Sequence, residues 1–305
     1  MNLFQDSLGV IIVHWRNIER TKNVLDQILS WKEINFHVHL IQNETSEDLF
    51  QDLTHPRLSK TCSKENLGFS GGNNLGLKAS IRGGHKYSFL LNPDAFIKET
   101  ELLKLLLAAE EQKFMFALSP VILEKSNGKV NSYLGGKNIA KYSNTRISQD
   151  EILAEIGKED LIEVFYNIGA AMLIKNEVLD DIGFLDTDYF FSGEIADICQ
   201  RARIKNYKCL TLLNAEAYHS IDEQKLRSTL YKYYSLRNRF LFIKKHEQFK
   251  VNKPKWRKEL VKNFVFACLT FNFSDIRTLV LCSWDIILGN YGNKNYKFSK
   301  NISTD

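Results

Sequence analysis

The residues Glu65-Asn-Leu-Gly-Phe-Ser-Gly-Gly-Asn-Asn-Leu-Gly76 are followed, after a short gap, by Tyr87-Ser-Phe-Leu-Leu-Asn-Pro-Asp94. The first stretch predicts a small-residue loop that leads into a helix from about Asn74, and its glycines would let backbone N–H groups approach a phosphate or a sugar. The second predicts an apolar strand that ends by presenting the carboxylate of Asp94. Together they indicate a nucleotide that is held partly through a divalent cation.

Strands and helices alternate on both sides of this stretch. Residues 8–15 and 36–42 are rich in β-branched and aromatic side chains, which is typical of buried strands. A helix between them carries an apolar face, and residues 99–110 form a leucine-rich helical pattern. This alternation predicts an α/β fold with a largely parallel sheet, whose ligands bind at the carboxyl ends of the strands.

The second half of the chain is less regular. Residues 124–160 mix glycine, asparagine, serine and charges, so we expect an irregular surface excursion. Residues 167–174 and 210–219 are further candidate strands, and the pattern becomes helical after Leu226. We therefore predict one domain over residues 1–225 and a helical region over residues 226–305.

Length and composition are those of an ordinary globular protein. The chain has 305 residues, a net charge of +5 and an odd number of cysteines, five, without paired CxxC spacing, so no zinc or disulfide framework is indicated. Residues 1–7 are polar and the apolar run 10–13 is too short for a signal peptide. Because no stretch of about 18 apolar residues exists either, we expect a cytoplasmic protein.

Asp94 is the first candidate ligand of a cation. Mg²⁺ and Mn²⁺ prefer oxygen ligands and usually retain water and substrate phosphates, so one or two protein carboxylates suffice. Asn92, two residues earlier, could add a carbonyl oxygen or a hydrogen bond. Asn-Pro-Asp is also common turn chemistry, which needs no function.

Glu194, Asp197 and Arg201 would share one face of a helix, opposite an apolar face. A carboxylate at the start of such a helix could act as a general base, although charge complementarity and an Asp–Arg surface pair would explain the pattern equally well. His219 ends an apolar strand and could join a cation site if Asp94 lies nearby, since imidazole also suits Mn²⁺. Asn43 could bind a nucleobase or only open a turn.

The order of these segments resembles the inverting family-2 glycosyltransferases, particularly the bacterial rhamnosyltransferase-like enzymes that build surface polysaccharides. The resemblance covers roughly residues 8–246. It rests on the segments already quoted and on Val10-Ile-Ile-Val-His-Trp15, Ile41-Gln-Asn43, Gly169-Ala-Ala-Met-Leu-Ile174, Gly183-Phe-Leu-Asp-Thr-Asp-Tyr-Phe-Phe-Ser-Gly-Glu194, Tyr218-His219 and Tyr233-Tyr-Ser-Leu-Arg-Asn-Arg-Phe-Leu-Phe242.

The resemblance implies a GT-A fold, a nucleotide-diphosphate sugar donor, a glycan or lipid-linked glycan acceptor and no nucleic acid partner. It implies Mg²⁺ or Mn²⁺ at Asp94, with His219 close to the metal, and an acceptor base on the opposite side. The residues that it implies for the donor are His14, Trp15, Gln42, Asn43, Asn66, Gly68, Gly71, Gly72, Asn73, Asn92 and Arg201.

Two positions depart from the family pattern. Gln42 stands where the family has an aspartate that contacts the base, so an amide replaces a carboxylate. Ile195 stands where the family usually has its catalytic base, and isoleucine cannot take a proton. Asp197 is then the favoured base, with Glu194 close behind it.

Two other classes of function stay open on the sequence. Ile195 supports a catalytically weak or silent nucleotide-sugar-binding subunit. A sugar nucleotidyltransferase would need a glycine-rich, basic loop after the first strand, where this chain has His14-Trp-Arg-Asn-Ile-Glu19. The basic tail with Trp256 and Trp284 either packs as ordinary helices or rests peripherally on the cytoplasmic face of the membrane.

Overall fold

A computed structural model describes residues 8–126, 129–155, 160–220 and 229–298. The chain divides into two units, which we describe separately. Unit 1 comprises Met1–Leu185 and Ile195–Ile221, and unit 2 comprises Asp186–Glu194 and Asp222–Asp305. Residues 1–7, on which the absence of a signal peptide partly rests, and the predicted boundary at residues 225 and 226 lie outside the described residues.

The strands of the described residues all belong to unit 1. They are β1 Leu8–His14, β2 Phe36–Gln42, β3 Leu58–Cys62, β4 Tyr87–Leu91, β5 Ala95–Phe96, β6 Met115–Ser126, β7 Lys129–Leu134, β8 Thr145–Ile147, β9 Leu161–Glu163, β10 Ala171–Lys175 and β11 Lys208–His219. The helices are α1 Ile18–Leu29, α2 Gly68–Arg82, α3 Glu99–Glu111, α4 Gln149–Glu155, α5 Val178–Ile182, α6 Glu194–Ile204, α7 Thr229–Lys245, α8 Lys253–Leu269 and α9 Phe273–Leu288.

One mixed sheet organises unit 1. Its strand order is β3-β2-β1-β4-β10-β6-β11-β5. The first four strands are parallel, β10 is antiparallel to both of its neighbours, and β6 and β11 run parallel again. The carboxyl ends of β1, β2, β4 and β11 therefore lie along one edge, which we call the carboxyl edge. The α/β prediction is confirmed, with β10 reversed inside the sheet and β5 antiparallel to β11 at its end.

The strands that the hydrophobic pattern predicts contribute the central residues of the core. Val10, Ile12, Val38, Leu40 and Phe89 are all fully buried in one continuous cluster. Helix α1 covers this cluster with the apolar face that the 3.6-residue spacing predicts, and the side chain of its N-cap residue Asn17 accepts a hydrogen bond from the backbone N–H of Arg20.

The prediction of a loop over residues 66–73 is wrong in one respect, because α2 already begins at Gly68. A Cβ at Gly72 would lie 2.7 Å from Val13 Cγ1, and a Cβ at Gly76 would lie 2.3 Å from Ile11 Cγ2. These glycines therefore let α2 pack directly on β1. Glycine weakens an isolated helix, which is why the sequence pattern suggests a loop, but here close packing outweighs that cost.

The excursion predicted over residues 124–160 is more regular than expected. Strands β6 and β7 form an antiparallel hairpin, β8 adds to it, and α4 follows. Together with Leu213 of β11, these elements form a small core, which consists of Val121, Leu123, Leu134, Ile147, Ile152 and Leu213. Polar residues separate these apolar residues in the sequence, so the local hydrophobic pattern does not predict this core.

Unit 2 packs its helices around buried tyrosines and one buried arginine. The Arg237 guanidinium lies over the rings of Tyr233 and Tyr234, at 5.1 and 4.8 Å from their centroids. The Tyr233 hydroxyl donates to Asp285, and Lys297 Nζ donates to both oxygens of this carboxylate. Burial alone would raise the pKa of Asp285, but these hydrogen bonds hold it below its usual value. The Tyr-Tyr-x-x-Arg motif is thus the core of unit 2.

The two tail tryptophans differ in their surroundings. Trp256 is 1% exposed, whereas Trp284 is 58% exposed. Of the two alternatives for the tail, Trp256 therefore fits ordinary helix packing, whereas the side chain of Trp284 is open to contact. Along the ranges that the structure describes, none of the helices combines the length and the hydropathy that crossing a membrane requires.

A buried histidine cluster leads to the first prediction. His39 is 7% exposed and its ring lies 5.0 Å from that of His37 and 5.6 Å from that of His85. Burial, and then the charges of His37, His85 and Arg82, lower the pKa of His39 to about 4. The unfolded chain, in which histidine has a pKa of about 6.5, then binds the extra proton. The contribution of neutral His39 to the free energy of unfolding is therefore fully present above about pH 6.5 and is lost as the pH drops toward 4.

We expect wild type to lose up to about 3 kcal/mol more unfolding free energy than His39→Phe between pH 7 and pH 4. Denaturant unfolding at several pH values measures this difference. His55 lies outside the cluster, so His55→Phe should lose as much unfolding free energy between pH 7 and pH 4 as wild type does. An acid loss in His39→Phe as large as that of wild type would contradict the assignment.

Candidate active site at the carboxyl edge

The ends of β1 and β2 form a polar rim. Trp15, directly after β1, donates from Nε1 to Glu44 Oε2 at 2.7 Å, and Asn66 Nδ2 donates to the same oxygen at 3.3 Å. Arg16 lies over the Trp15 ring at 4.4 Å and has a φ of 66°. A half-exposed aromatic ring beside a carboxylate and an amide can stack on a flat ring and bind its polar edge.

Gln42 and Asn43 are both engaged inside the protein. Gln42 is fully buried, its Nε2 donates to Asp48 at 2.8 Å and its Oε1 accepts from the backbone N–H of Leu49 at 2.7 Å. Asn43 Nδ2 donates to the carbonyl of Gly68 at 3.1 Å. In this structure the Gln42 amide holds the segment after β2, and Asn43 ties β2 to the start of α2. The contact of Gln42 with a base stays a prediction, which these internal hydrogen bonds do not support.

His14 is also a core residue. Its side chain is fully buried, Nδ1 lies 2.8 Å from Thr21 Oγ1, and its ring packs edge-on against Phe50 at 4.9 Å. Burial lowers the pKa of His14. The strand end turns this ring into the protein, so the geometry does not support the contact that we predict between this side chain and the donor, and that contact stays a prediction.

The small residues at the start of α2 have mixed roles. Asn66 Oδ1 accepts from the backbone N–H of Gly68 at 2.9 Å, and Gly68 has a φ of +67°. Asn73 Nδ2 donates to the carbonyl of Phe69 at 2.9 Å within the helix. Gly71 is close to Leu67, with 2.7 Å between its virtual Cβ and that of Leu67. This segment is a tightly turned helix start that lies next to the rim.

Asp94 and His219 come together as predicted. β11 pairs with β5 so that His219 faces Ala95, and His219 Nε2 lies 3.4 Å from Asp94 Oδ1. The other ring nitrogen, Nδ1, lies 3.1 Å from Glu124 Oε1 on β6. Asn92 precedes Asp94 and donates its backbone N–H to the carbonyl of Ala170 at 2.9 Å. Two carboxylates and one imidazole thus converge at the carboxyl edge.

The charge of His219 follows from these contacts. Burial alone would lower its pKa, but the hydrogen bonds and charges of Asp94 and Glu124 outweigh burial and raise the pKa to about 9. The side chains of Asp94, Glu124 and His219 are 15, 13 and 20% exposed, so this cluster keeps limited access to solvent.

These donors fit a hard or borderline cation that retains other ligands. Within residues 8–126, 129–155, 160–220 and 229–298, no group of three or more His, Cys, Asp or Glu side chains forms a complete metal site. A carboxylate oxygen and an imidazole nitrogen side by side nevertheless suit Mn²⁺, provided that the ion displaces the proton of His219 and that phosphate and water supply the remaining ligands. Asp94 and His219 are the residues that would hold such an ion.

Helix α6 brings Asp197 and Arg201 together in a buried pair. Arg201 Nε donates to Asp197 Oδ2 at 2.9 Å, and its other nitrogens donate to the carbonyls of Ile182 and Phe184. Asp197 is 1% exposed. The pair therefore fastens α6 to α5 and to the segment that follows it. The donor contact of Arg201 stays a prediction, and the ion pair makes Asp197 less suited to act as a base.

Ile195 occupies an apolar site at the start of α6. A Cβ at Gly169 would lie 2.9 Å from Ile195 Cγ1 and 3.3 Å from Phe69 Cζ, so all three residues adjoin before β10. Ile195 is 6% exposed. Ile195 therefore fills space between α2 and β10 and offers no proton acceptor.

Glu194 is the first residue of α6 and follows a strained turn in unit 2. Ser192 and Gly193 have φ values of 69° and 102°. Asn238 Nδ2 donates to the carbonyls of Phe191 and Ser192 at 2.9 and 2.6 Å. These bonds hold a residue other than glycine in the left-handed region, and so they fix the backbone that leads to Glu194.

No protein-family model matches the chain. In sequence it is 29% identical over 241 residues to the low-salt glycan biosynthesis hexosyltransferase of Haloferax volcanii, an alignment that covers 77% of this chain and 75% of the relative. It is 22% identical over 237 residues to the dTDP-rhamnosyl transferase of Shigella flexneri, with 74% and 76% of the two chains covered.

Solved structures share the fold. TarS of S. aureus in complex with UDP-GlcNAc superposes with a TM-score of 0.58 at 15% identity over 92% of this chain and 80% of that one. The mannosyltransferase of Pyrobaculum calidifontis with GDP-Man and Mn²⁺ gives 0.59 at 11% identity, covering 95% and 89%. GalNAc-T7 with UDP, GalNAc and Mn²⁺ gives 0.61 at 12% identity, covering 78% of this chain and 48% of its own length.

The fold and its relatives define the class: the chain is a glycosyltransferase homologue with the GT-A fold. Its sequence relatives are a hexosyltransferase and a rhamnosyl transferase, both transferases of sugars by name. The predicted resemblance to the rhamnosyltransferase-like glycosyltransferases is therefore confirmed.

Two site residues escape the sequence analysis. Glu44 is the second residue after β2, so its position close to a strand end could have indicated it. Glu124 lies in the hairpin strand β6, inside the segment that we expected to be an irregular excursion. Only the pairing of β6 with β11 places it beside His219.

Proposed function

We propose that this protein transfers a sugar, with inversion, from a nucleotide-diphosphate sugar to a hydroxyl of a growing or lipid-linked glycan in surface polysaccharide synthesis. The observation that supports this most is the pairing of Asp94 with His219 at the carboxyl edge of a GT-A sheet. Neighbouring structures with this fold hold UDP-GlcNAc or GDP-Man, the latter with Mn²⁺.

The donor side is formed by two groups of residues. The rim of Trp15, Glu44 and Asn66 would bind the nucleobase and ribose. Asp94 and His219 would hold Mg²⁺ or Mn²⁺, with Asn92 beside them. When bound, such a cation neutralises the charge that develops on the leaving diphosphate.

The acceptor side needs one proton acceptor. Glu194 would take the proton of the acceptor hydroxyl, whose oxygen attacks the anomeric carbon in line as the bond to the diphosphate oxygen breaks. The new bond forms on the opposite face, which inverts the configuration. Asp197 stays the alternative, but its ion pair with Arg201 makes it the weaker one.

A catalytically silent nucleotide-sugar-binding subunit is the second candidate, and Ile195 is the observation that favours it. The comparisons do not favour this alternative, because both sequence relatives carry transferase names. Binding of a donor without release of a nucleoside diphosphate, in the presence of any acceptor tested, would support it.

A donor screen tests the proposed function. We expect one class among UDP-, GDP- and dTDP-sugars to raise the melting temperature by about 5 °C at a donor concentration roughly 100 times Kd, and only with Mn²⁺ or Mg²⁺ present. Thermal unfolding with each donor, with the metal or with EDTA, measures this. The absence of any shift across the panel would contradict donor binding.

The acceptor class also implies a location. A lipid-linked glycan is displayed at the surface of a bilayer, so we propose peripheral contact with the cytoplasmic face of the membrane. The surface charge of unit 2 supports this proposal, since basic residues are concentrated in α7 and α8.

A further inference from the structure

Unit 2 exposes an unusual concentration of aromatic side chains. We call it the apolar corner, and it runs from the second half of α8 through the turn to the first residue of α9. Its members are Phe264, Phe266, Leu269, Phe271 and Phe273, of which the last four are 65 to 77% exposed. Single exposed apolar residues are ordinary, but a contiguous group of this kind marks an interaction surface.

Helix α9 extends the apolar corner along its outer face. Phe273, Val280, Trp284 and Ile287 recur at helical spacing and are each at least 51% exposed. The opposite face of the same helix, which includes Leu279 and Cys282, is buried against α7. Both faces of α9 are therefore apolar. A helix whose outer face contacts only water normally has a polar outer face.

Helix α8 separates charge and apolar surface along its axis. Its exposed cations lie within the first ten residues, and most of its exposed apolar side chains follow them from Phe264 onward. The exposed cations are Lys253, Lys255, Arg257, Lys258 and Lys262. From Lys258 to Phe266 the helix rises about 12 Å along its axis, so the cations and the apolar corner lie within about that distance of each other along α8.

The acidic side chains of α8 and α9 are all engaged by cations of unit 2. Glu259 accepts from Arg239 at 2.6 Å, Asp275 is paired with Lys232, and Asp285 is buried beside Lys297. The outer surface of these two helices is therefore apolar and positive. A second copy of the chain would bring like charges together, and protein interfaces are depleted of lysine.

We propose that the apolar corner and the outer face of α9 insert into the interface of an anionic lipid bilayer, while the cations of α8 bind the phosphate groups of its lipids. Phenylalanine, tryptophan and leucine beside lysine and arginine form the composition that such interfaces favour. This membrane contact rests on the peripheral location proposed above, and it specifies which residues enter the bilayer and which lipid charge they meet. It does not depend on the transfer reaction.

Flotation with lipid vesicles tests the proposal. We expect wild type to bind vesicles of phosphatidylcholine with phosphatidylglycerol, and the triple variant Phe266→Ser, Phe271→Ser, Phe273→Ser to bind at least about 100-fold more weakly. Phe114→Ser is the matched control, because Phe114 is 58% exposed in unit 1. It should bind as wild type does.

A second experiment tests the role of the α8 cations. Lys255→Gln, Arg257→Gln and Lys258→Gln together should lower affinity for the anionic vesicles by about 100-fold. Affinity for pure phosphatidylcholine should not change. On vesicle addition the tryptophan emission of wild type should shift to the blue, and Trp284→Phe should lose that shift.

Several results would overturn the proposal. Wild type that shifts with a donor but never floats with vesicles would refute the surface and leave the proposed function standing. A dimer in analytical ultracentrifugation that the triple variant abolishes, without vesicle binding, would assign the surface to a second copy. Equal binding to neutral and anionic vesicles would refute the role of the cations, whereas vesicle binding without a donor shift would refute only the proposed function.

Discussion

Asp94→Asn is expected to abolish metal-dependent donor binding and to lower turnover by on the order of 10³, because charge stabilisation by a bound metal contributes several kcal/mol to the transition state. The substitution keeps the shape of the side chain and removes its charge. Thermal shift with and without Mn²⁺, and release of nucleoside diphosphate with the donor that the screen identifies, measure the two effects.

Asp52→Asn is the matched control, since Asp52 is exposed in unit 1 and takes part in none of the site contacts described above. It should retain binding and turnover. The melting temperature of Asp94→Asn without metal shows whether the variant is folded, because His219 loses one of its two carboxylate partners. A folded Asp94→Asn that still binds donor only in the presence of Mn²⁺ would refute the cation assignment.

Glu194→Gln is expected to lower kcat by about 10²–10⁴, the usual contribution of a general base, and to leave donor affinity unchanged. Glutamine retains the size of the side chain but takes up no proton. Asp197→Asn is expected to act differently. It weakens the pair with Arg201 and so lowers the unfolding free energy by on the order of 1–3 kcal/mol, with a much smaller loss of kcat.

Donor titration, steady-state kinetics and denaturant unfolding of both variants separate catalysis from stability. Glu111→Gln, at the exposed end of α3, serves as the control for a surface glutamate. If Asp197→Asn loses turnover at normal stability while Glu194→Gln remains active, then the preference that the sequence gives for Asp197 is right. If both variants remain active, neither carboxylate is the base.

Much of the fold can be predicted from the sequence because its central strands are locally distinctive. Residues 36–42 and 87–91 are strands as predicted, since continuous β-branched and aromatic runs specify buried strands. The start of α2 could not be predicted, because glycine disfavours a helix locally and only the contact with β1 rewards it. The same holds for the hairpin of β6 and β7, whose pairing partners are distant in the sequence.

The candidate site divides in the same way. Asp94 and His219 could be named from their positions at strand ends, and the structure brings them together. His14 and Gln42 also end strands, yet their side chains turn inward. Alternation along a strand does not tell which face the last residue presents, because this depends on what packs there, namely Phe50 for His14 and Asp48 for Gln42.

The sequence by itself determined the α/β architecture, the resemblance to glycosyltransferases and the choice of Asp94 and His219 as candidates, because periodicity and strand ends are local properties of the chain. That these two side chains lie side by side depends on the pairing of β11 with β5. Only the tertiary structure decided that Glu124 joins His219, that Asp197 is bound to Arg201 and that Trp256 is buried while Trp284 is exposed. These features depend on contacts between segments far apart in the chain. Local pattern contains no information about which partner a side chain meets.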